Sequence, residues 1–147
     1  MKTILTWQEK MSFSAVADGQ TVLMDAKAPL GQGRAMTPKE MVLAGLGGCT
    51  AMDVIALLKK HKQTVTSFEV EVDVATSTGG NPMVFTKADI YFRLAGEVDP
   101  AIALESVHLS QTKYCGVSAM LAKAFPISYH VLVNGAEIGS GVAAFTI

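Results

Sequence analysis

Two cysteines carry the chemistry most open to this chain. Cys49 follows Gly47 and Gly48 inside an apolar run, and Cys115 stands 66 positions later, just after Lys113 and Tyr114. Neither CxxC nor zinc-finger spacing joins them, and two cysteines are too few for a disulfide scaffold, so a reducing compartment is expected. A thiol reacts as its thiolate, which free helix N–H groups, the helix dipole and a nearby cation all favour. Cys115, expected in the first turn of a helix with Lys113 beside it, meets these conditions. Glycine costs about 1 kcal/mol in a helix interior relative to alanine, so Gly47 and Gly48 imply close approach of another backbone or a ligand, or helix–helix packing. The cysteines are then either a redox pair or two small buried hydrophobes.

Other chemistry is thinner. His61, His108 and His130 share no metal-ligand spacing, and a site built from Cys49, His108 and Cys115 requires long-range convergence, so no metal is expected. Gly31-Gln32-Gly33 lacks the third glycine of a dinucleotide loop, and Gly139-Ser140-Gly141 reads as a turn rather than a nucleophile elbow. Asp53, one helical turn after Cys49, either accepts a hydrogen bond or repels a thiolate. Arg34 is the single arginine before Cys49 and lies in a loop, whereas Arg93 reads as a solvated or paired strand residue.

Charge narrows the partners. Twelve Lys+Arg against 13 Asp+Glu, a net charge of −1, leave no electrostatic footprint for nucleic acid and no polybasic patch for a membrane surface. The first ten residues lack a signal-type apolar stretch. Met41–Leu58 holds 18 residues with one charge, Asp53, but its glycines, Thr50 and that Asp make a spanning helix expensive. The cytoplasm is the expected location, with neither nucleic acid nor membrane as partner.

Positioning such residues falls to a single expected domain over residues 1–147, half of whose residues are hydrophobic. Residues 2–8, 12–17 and 21–25 read as strands, with Asp18-Gly19 as a hairpin turn. Residues 27–36 form a loop. Thr37-Pro38-Lys39-Glu40 is a helix start: Thr37 caps, Pro38 suits the first helical position and Glu40 completes a capping box. A helix over roughly 38–61, about 35 Å long, should follow. Its apolar positions run most of the way round, so it must be covered on nearly all sides, which a homodimer does most economically. Residues 67–76 and 84–95 alternate as a hairpin, Asp99-Pro100 opens a helix over 100–109, a break at 110–113 precedes a second helix over 114–124, and 127–133 is a strand closed by Asn134-Gly135. Residues 136–147 are ambiguous. Helices and strands do not alternate as βαβ units, so the class is α+β.

The stretch Thr37-Pro38-Lys39-Glu40 through Gly47-Gly48-Cys49 resembles the helix start of the OsmC/Ohr family, and Leu109-Ser110-Gln111-Thr112-Lys113-Tyr114-Cys115-Gly116 resembles that family's second cysteine block, most closely in its YhfA-like branch. The resemblance implies antiparallel strands around a long buried central helix in an intertwined homodimer. It also implies a thiol peroxidase of organic hydroperoxides that requires no metal or organic cofactor: Cys49 attacks the peroxide, Cys115 resolves the product to a disulfide, and an external dithiol resets the pair. The family's peroxidases carry a Glu ten positions before the first cysteine, paired with an N-terminal Arg. Here that position is Lys39, and Glu40, one residue on, is rotated by about 100° on a helix. Arg34 and Glu40 are the candidates for those partners. The alternative is a family member that binds a small hydrophobic ligand at the dimer interface without efficient turnover.

Overall fold

The computed structural model describes residues 1–146. Its contacts group the chain into two compact units, Met1–Ala44 and Gly45–Ile147.

The first unit is an antiparallel sheet, β1 (Ile4–Glu9), β2 (Ser12–Ala17) and β3 (Gln20–Met24), in that spatial order. Asp18 (φ 48) and Gly19 (φ 76) turn β2 into β3 with the two positive φ angles of a tight hairpin. The loop that follows is organised by one buried carboxylate. Asp25, 3% exposed, accepts the N–H groups of Ala26 at 2.8 Å and of Gln32 and Arg34 at 3.2 Å. These donors hold its carboxyl below the usual range, the Arg34 amide most of all. The expected capping box then opens α1 (Pro38–Lys60): Thr37 N–H donates to Glu40 Oε2 at 2.8 Å, and Glu40 N–H donates to Thr37 Oγ1 at 3.3 Å.

The second unit is a four-stranded sheet, β4 (Thr64–Thr76), β5 (Phe85–Glu97), β6 (Ile127–Val133) and β7 (Ala136–Val142), in that order. Strand alternation puts Phe92, Ile90, Ile127 and Val131, each fully buried, on the core face. On the other face Arg93 pairs with Glu69 at 3.3 Å and Glu71 at 2.8 Å, as its strand position implies. Between β5 and β6 the chain passes through α2 (Pro100–Leu109), a π turn (Ser110–Tyr114) and α3 (Gly116–Leu121). Asp99 Oδ1 caps α2 by accepting the N–H of Ala101 at 2.8 Å.

One expectation changes and one unplaced segment is now placed. The strands are not all antiparallel: β5 and β6 run parallel, because the helical crossover returns the chain to the sheet in the same direction. Residues 136–142, ambiguous in the sequence, form a strand, and its glycines have a packing reason. A Cβ on Gly141 would meet the Tyr129 ring, and one on Gly139 would lie 2.8 Å from Leu104 Cδ1.

As its apolar circumference leads one to expect, α1 is not enclosed within one chain. Its buried positions, Leu46, Gly47, Thr50, Val54 and Leu58, recur at helical spacing and form one stripe, whereas Met52 is 72% exposed. Gly47 is where the helix sits down on β4, since a Cβ there would stand 3.1 Å from Val72 Cγ2. This is helix–sheet rather than helix–helix packing. A Cβ on Gly45 or Gly48 would meet nothing within 4 Å. By length and composition α1 could cross a bilayer, but its stripe is part of the core of the second unit.

Candidate functional site

On α1, Cys49 and Asp53 are four residues apart and so share a face, while Thr50 turns fully into the core. The opposing wall is the π turn. A π turn admits one extra residue per hydrogen-bonded ring, closed here by the Cys115 N–H donating to the Ser110 carbonyl at 3.0 Å. That ring presents Ser110 and Gln111, both fully buried, to Thr50 and delivers Cys115 beside them.

A directional hydrogen-bond chain joins the two walls. Gln111 Nε2 donates to Thr50 Oγ1 at 2.8 Å, and Ser110 Oγ donates to Asp53 Oδ2 at 3.0 Å. Because the Ser110 proton is spent on the carboxylate, the 2.7 Å contact between Thr50 Oγ1 and Ser110 Oγ must have Thr50 as donor. The chain therefore ends on Asp53, whose carboxylate oxygen lies with Cys49 Sγ and Cys115 Sγ in a cluster of atoms all within 4.8 Å of one another.

The two thiols differ in environment. Cys49 is partly exposed and Cys115 fully buried. Cys115 is the N-cap of α3 rather than a first-turn residue, its Sγ accepting the Ser118 N–H at 3.3 Å. Burial pushes the Cys115 thiol up from 9.0 to about 11, outweighing the side chain and amide of Ser118, which favour the thiolate, and neighbouring Cys49 adds to the rise. The expectation that its helix-start position favours a Cys115 thiolate is overturned, since desolvation exceeds what one short helical turn supplies.

This has a consequence for stability. A group whose pKa is raised on folding binds its proton more tightly in the native state, so its stabilisation is complete below the unfolded value and is lost as pH climbs through the folded one. Unfolding free energy should be flat in this term below pH 9 and fall between about 9 and 11 by on the order of 2 kcal/mol. Denaturant titrations across that range should show the slope, and Cys115→Ala should remove it; an unchanged slope in that variant would refute the assignment.

The other anticipated site residues are engaged within the first unit. Arg34 Nη1 lies 3.4 Å from Glu9 Oε1, its side chain 67% exposed. Glu40, besides its capping role, pairs with Lys27 at 2.6 Å, and that ammonium, with the Thr37 donors, holds its carboxyl down at about 2. His108 does not join the cysteines, because its Nδ1 lies 3.0 Å from Tyr129 Oη. Asp53 occupies the third position of the cluster instead, and it alone of the three offers a hard oxygen ligand to a metal. Thr50, Ser110, Gln111 and Ser118 carry no sequence signal of their own. The four-residue spacing of Cys49 and Asp53 was the one local pointer.

The family model described as "OsmC-like protein" matches residues 31–130. Protein YhfA of Escherichia coli (strain K12) is 34% identical over 131 residues, covering 88% of this chain and 95% of that protein. Among solved structures, a hypothetical protein from Aquifex aeolicus VF5 superposes with a TM-score of 0.80 at 22% identity, over 90% of this chain and 95% of that one. A structure from Legionella pneumophila titled as an organic hydroperoxide resistance protein OsmC does so with a TM-score of 0.62 at 15% identity, over 90% and 96%; at these identities the likeness is one of fold.

Proposed function

Because the chain belongs to the OsmC-like protein family, we propose that it is a thiol peroxidase of organic hydroperoxides in which Cys49 attacks and Cys115 resolves. The observation that carries this reading is the convergence of two sulfurs 66 positions apart to within 4.8 Å. Burial supports the order of attack: peroxide reaches the partly exposed Cys49, whereas Cys115 is enclosed and holds its proton.

In the first step the Cys49 thiolate forms a bond to the distal peroxide oxygen as the O–O bond breaks. Sulfur is oxidised by two electrons to sulfenic acid, and the leaving alkoxide takes up a proton as the alcohol. Asp53, at the end of the hydroxyl chain and close to both sulfurs, is the acceptor for the Cys49 thiol proton. In the second step Cys115 displaces hydroxide from the Cys49 sulfenic acid, forming the disulfide and water. The sulfurs need at most about 2.8 Å of further approach to reach an S–S bond of about 2.05 Å, which side-chain rotation supplies. An external dithiol returns the pair to thiols by exchange. A role for Arg34 in favouring the thiolate rests on the family resemblance, and its contact with Glu9 would first have to open.

A titration with one equivalent of an alkyl hydroperoxide tests the reading. Free thiols should fall from two to none per chain, with one alcohol formed. Two thiols remaining would remove the proposal.

The homodimer belongs to the same reading. The outward apolar face of α1, with Met52 72% exposed and Gly48 open, is covered by a second copy. Sedimentation at micromolar concentration should show twice the chain mass, and a well-behaved monomer would count against it. The cytoplasm remains the proposed location, where dithiol reductants are maintained.

One observation favours the second reading, an apolar-ligand binder. The first unit contains a cavity of about 250 Å³ lined by Leu5, Met11, Phe13, Met24 and Pro38. A chain that keeps both thiols in the presence of hydroperoxide but binds an apolar fluorophore there would be such a protein.

A further inference from the structure

The cluster at the cysteines holds more than a disulfide requires. Two sulfurs would be enough for redox closure, yet a carboxylate lies within 4.8 Å of both, and a hydroxyl chain is devoted to orienting it. Each of the three groups can bear negative charge, and a divalent cation attracts all three at once.

We propose that reduced Cys49, Asp53 and Cys115 bind a thiophilic divalent cation of the zinc class. Two thiolates and one carboxylate are a donor set suited to such an ion, and a structural site would close the fourth position with a protein ligand. Here the partly exposed side, where Cys49 and Asp53 stand, leaves that position to water or a small exogenous ligand. Tetrahedral bonds of about 2.3 Å to sulfur and about 2.1 Å to oxygen place the donors roughly 3.5–3.8 Å apart. The cluster lies at most about 1.3 Å outside that spacing.

The surroundings match what such sites use to hold their ligands. Ser110 fixes one oxygen of Asp53, Thr50 fixes Ser110, and Gln111 fixes Thr50. Groups behind a ligand that orient it commonly contribute 10–100-fold in metal affinity. Binding releases the two thiol protons and forms two metal–sulfur bonds with no change in oxidation state. The inference needs reduced thiols only and does not rest on the peroxidase reading. It does imply that cation and disulfide exclude each other, since each consumes the same two sulfurs.

The test is anaerobic titration of the fully reduced protein with Co2+, followed by displacement with Zn2+. One equivalent should give a sulfur-to-cobalt charge-transfer band and the intense visible bands of tetrahedral cobalt, both bleached by zinc. Cys49→Ser and Cys115→Ser should each weaken the charge-transfer band. Asp53→Asn should lower affinity at least 10-fold while a thiol reagent still counts two cysteines, and Ser110→Ala should lower it with the cluster itself intact. Protein whose two thiols have been closed to a disulfide by a general thiol oxidant such as diamide should bind no cobalt at this site. Absence of the charge-transfer band in the reduced parent, or equal affinity in parent and Asp53→Asn, would overturn the proposal. Neither result bears on hydroperoxide consumption, which is read from thiol loss in metal-free protein.

Discussion

Cys49→Ser is expected to lower the rate of organic hydroperoxide consumption by at least about 1,000-fold, because a serine hydroxyl is a weak nucleophile at its ordinary pKa and no other thiol is exposed to replace it. Cys115→Ser should behave quite differently. It should consume a single equivalent and stop, leaving on Cys49 a sulfenic acid that a dimedone-type reagent captures. The contrast follows from burial: substrate meets Cys49 at the partly open side of the cluster, and Cys115 lies behind it with its proton held by desolvation. Peptide mapping of the captured adduct is the deciding measurement. An adduct on Cys115 would reverse the roles, and a parent protein no faster than a free thiol would favour the ligand-binding reading.

Thr50→Val should be among the most destabilising substitutions that leave both cysteines in place. Valine has nearly the shape of threonine, so little cavity is made; what changes is the hydroxyl at the centre of the chain. Its loss strands Gln111 Nε2 and removes the donor to Ser110 Oγ, both in a fully buried setting. Unsatisfied buried groups cost about 1–3 kcal/mol each, so a loss of about 2–4 kcal/mol is expected. Thr50→Ser keeps the hydroxyl and should recover most of it. Urea midpoints with unchanged slopes would measure the difference. If valine proved as stable as serine, the hydrogen-bond chain would not be what holds the π turn against α1.

Much of this molecule is written locally. The Asp18-Gly19 turn, the Thr37–Glu40 capping box, the Asp99 cap and the alternation of Phe68, Val70, Val72 and Val74 each depend on residues within a turn or a few strand positions of one another. Such signals are readable in order along the chain, because the free energies that set them act over those same short separations. The α+β class and the limits of α1 follow from them, and the two cysteine blocks were enough to point to the family.

What the tertiary structure decided depends on contacts between distant segments. The parallel pairing of β5 with β6 requires the whole crossover to be counted as one connection. The strand at 136–142 exists because β6 offers an edge and because Gly139 and Gly141 leave room for Leu104 and Tyr129. The site is the extreme case. Thr50 meets Ser110 across 60 positions and Gln111 across 61, and Asp53 meets Ser110 across 57. No local pattern marks a serine or glutamine as the partner of a residue so far away. Cys115 shows why in energetic terms: its place at a helix start favours a thiolate, but its burial beneath α1 favours the thiol, and burial is a property of the assembled fold rather than of the residues beside it.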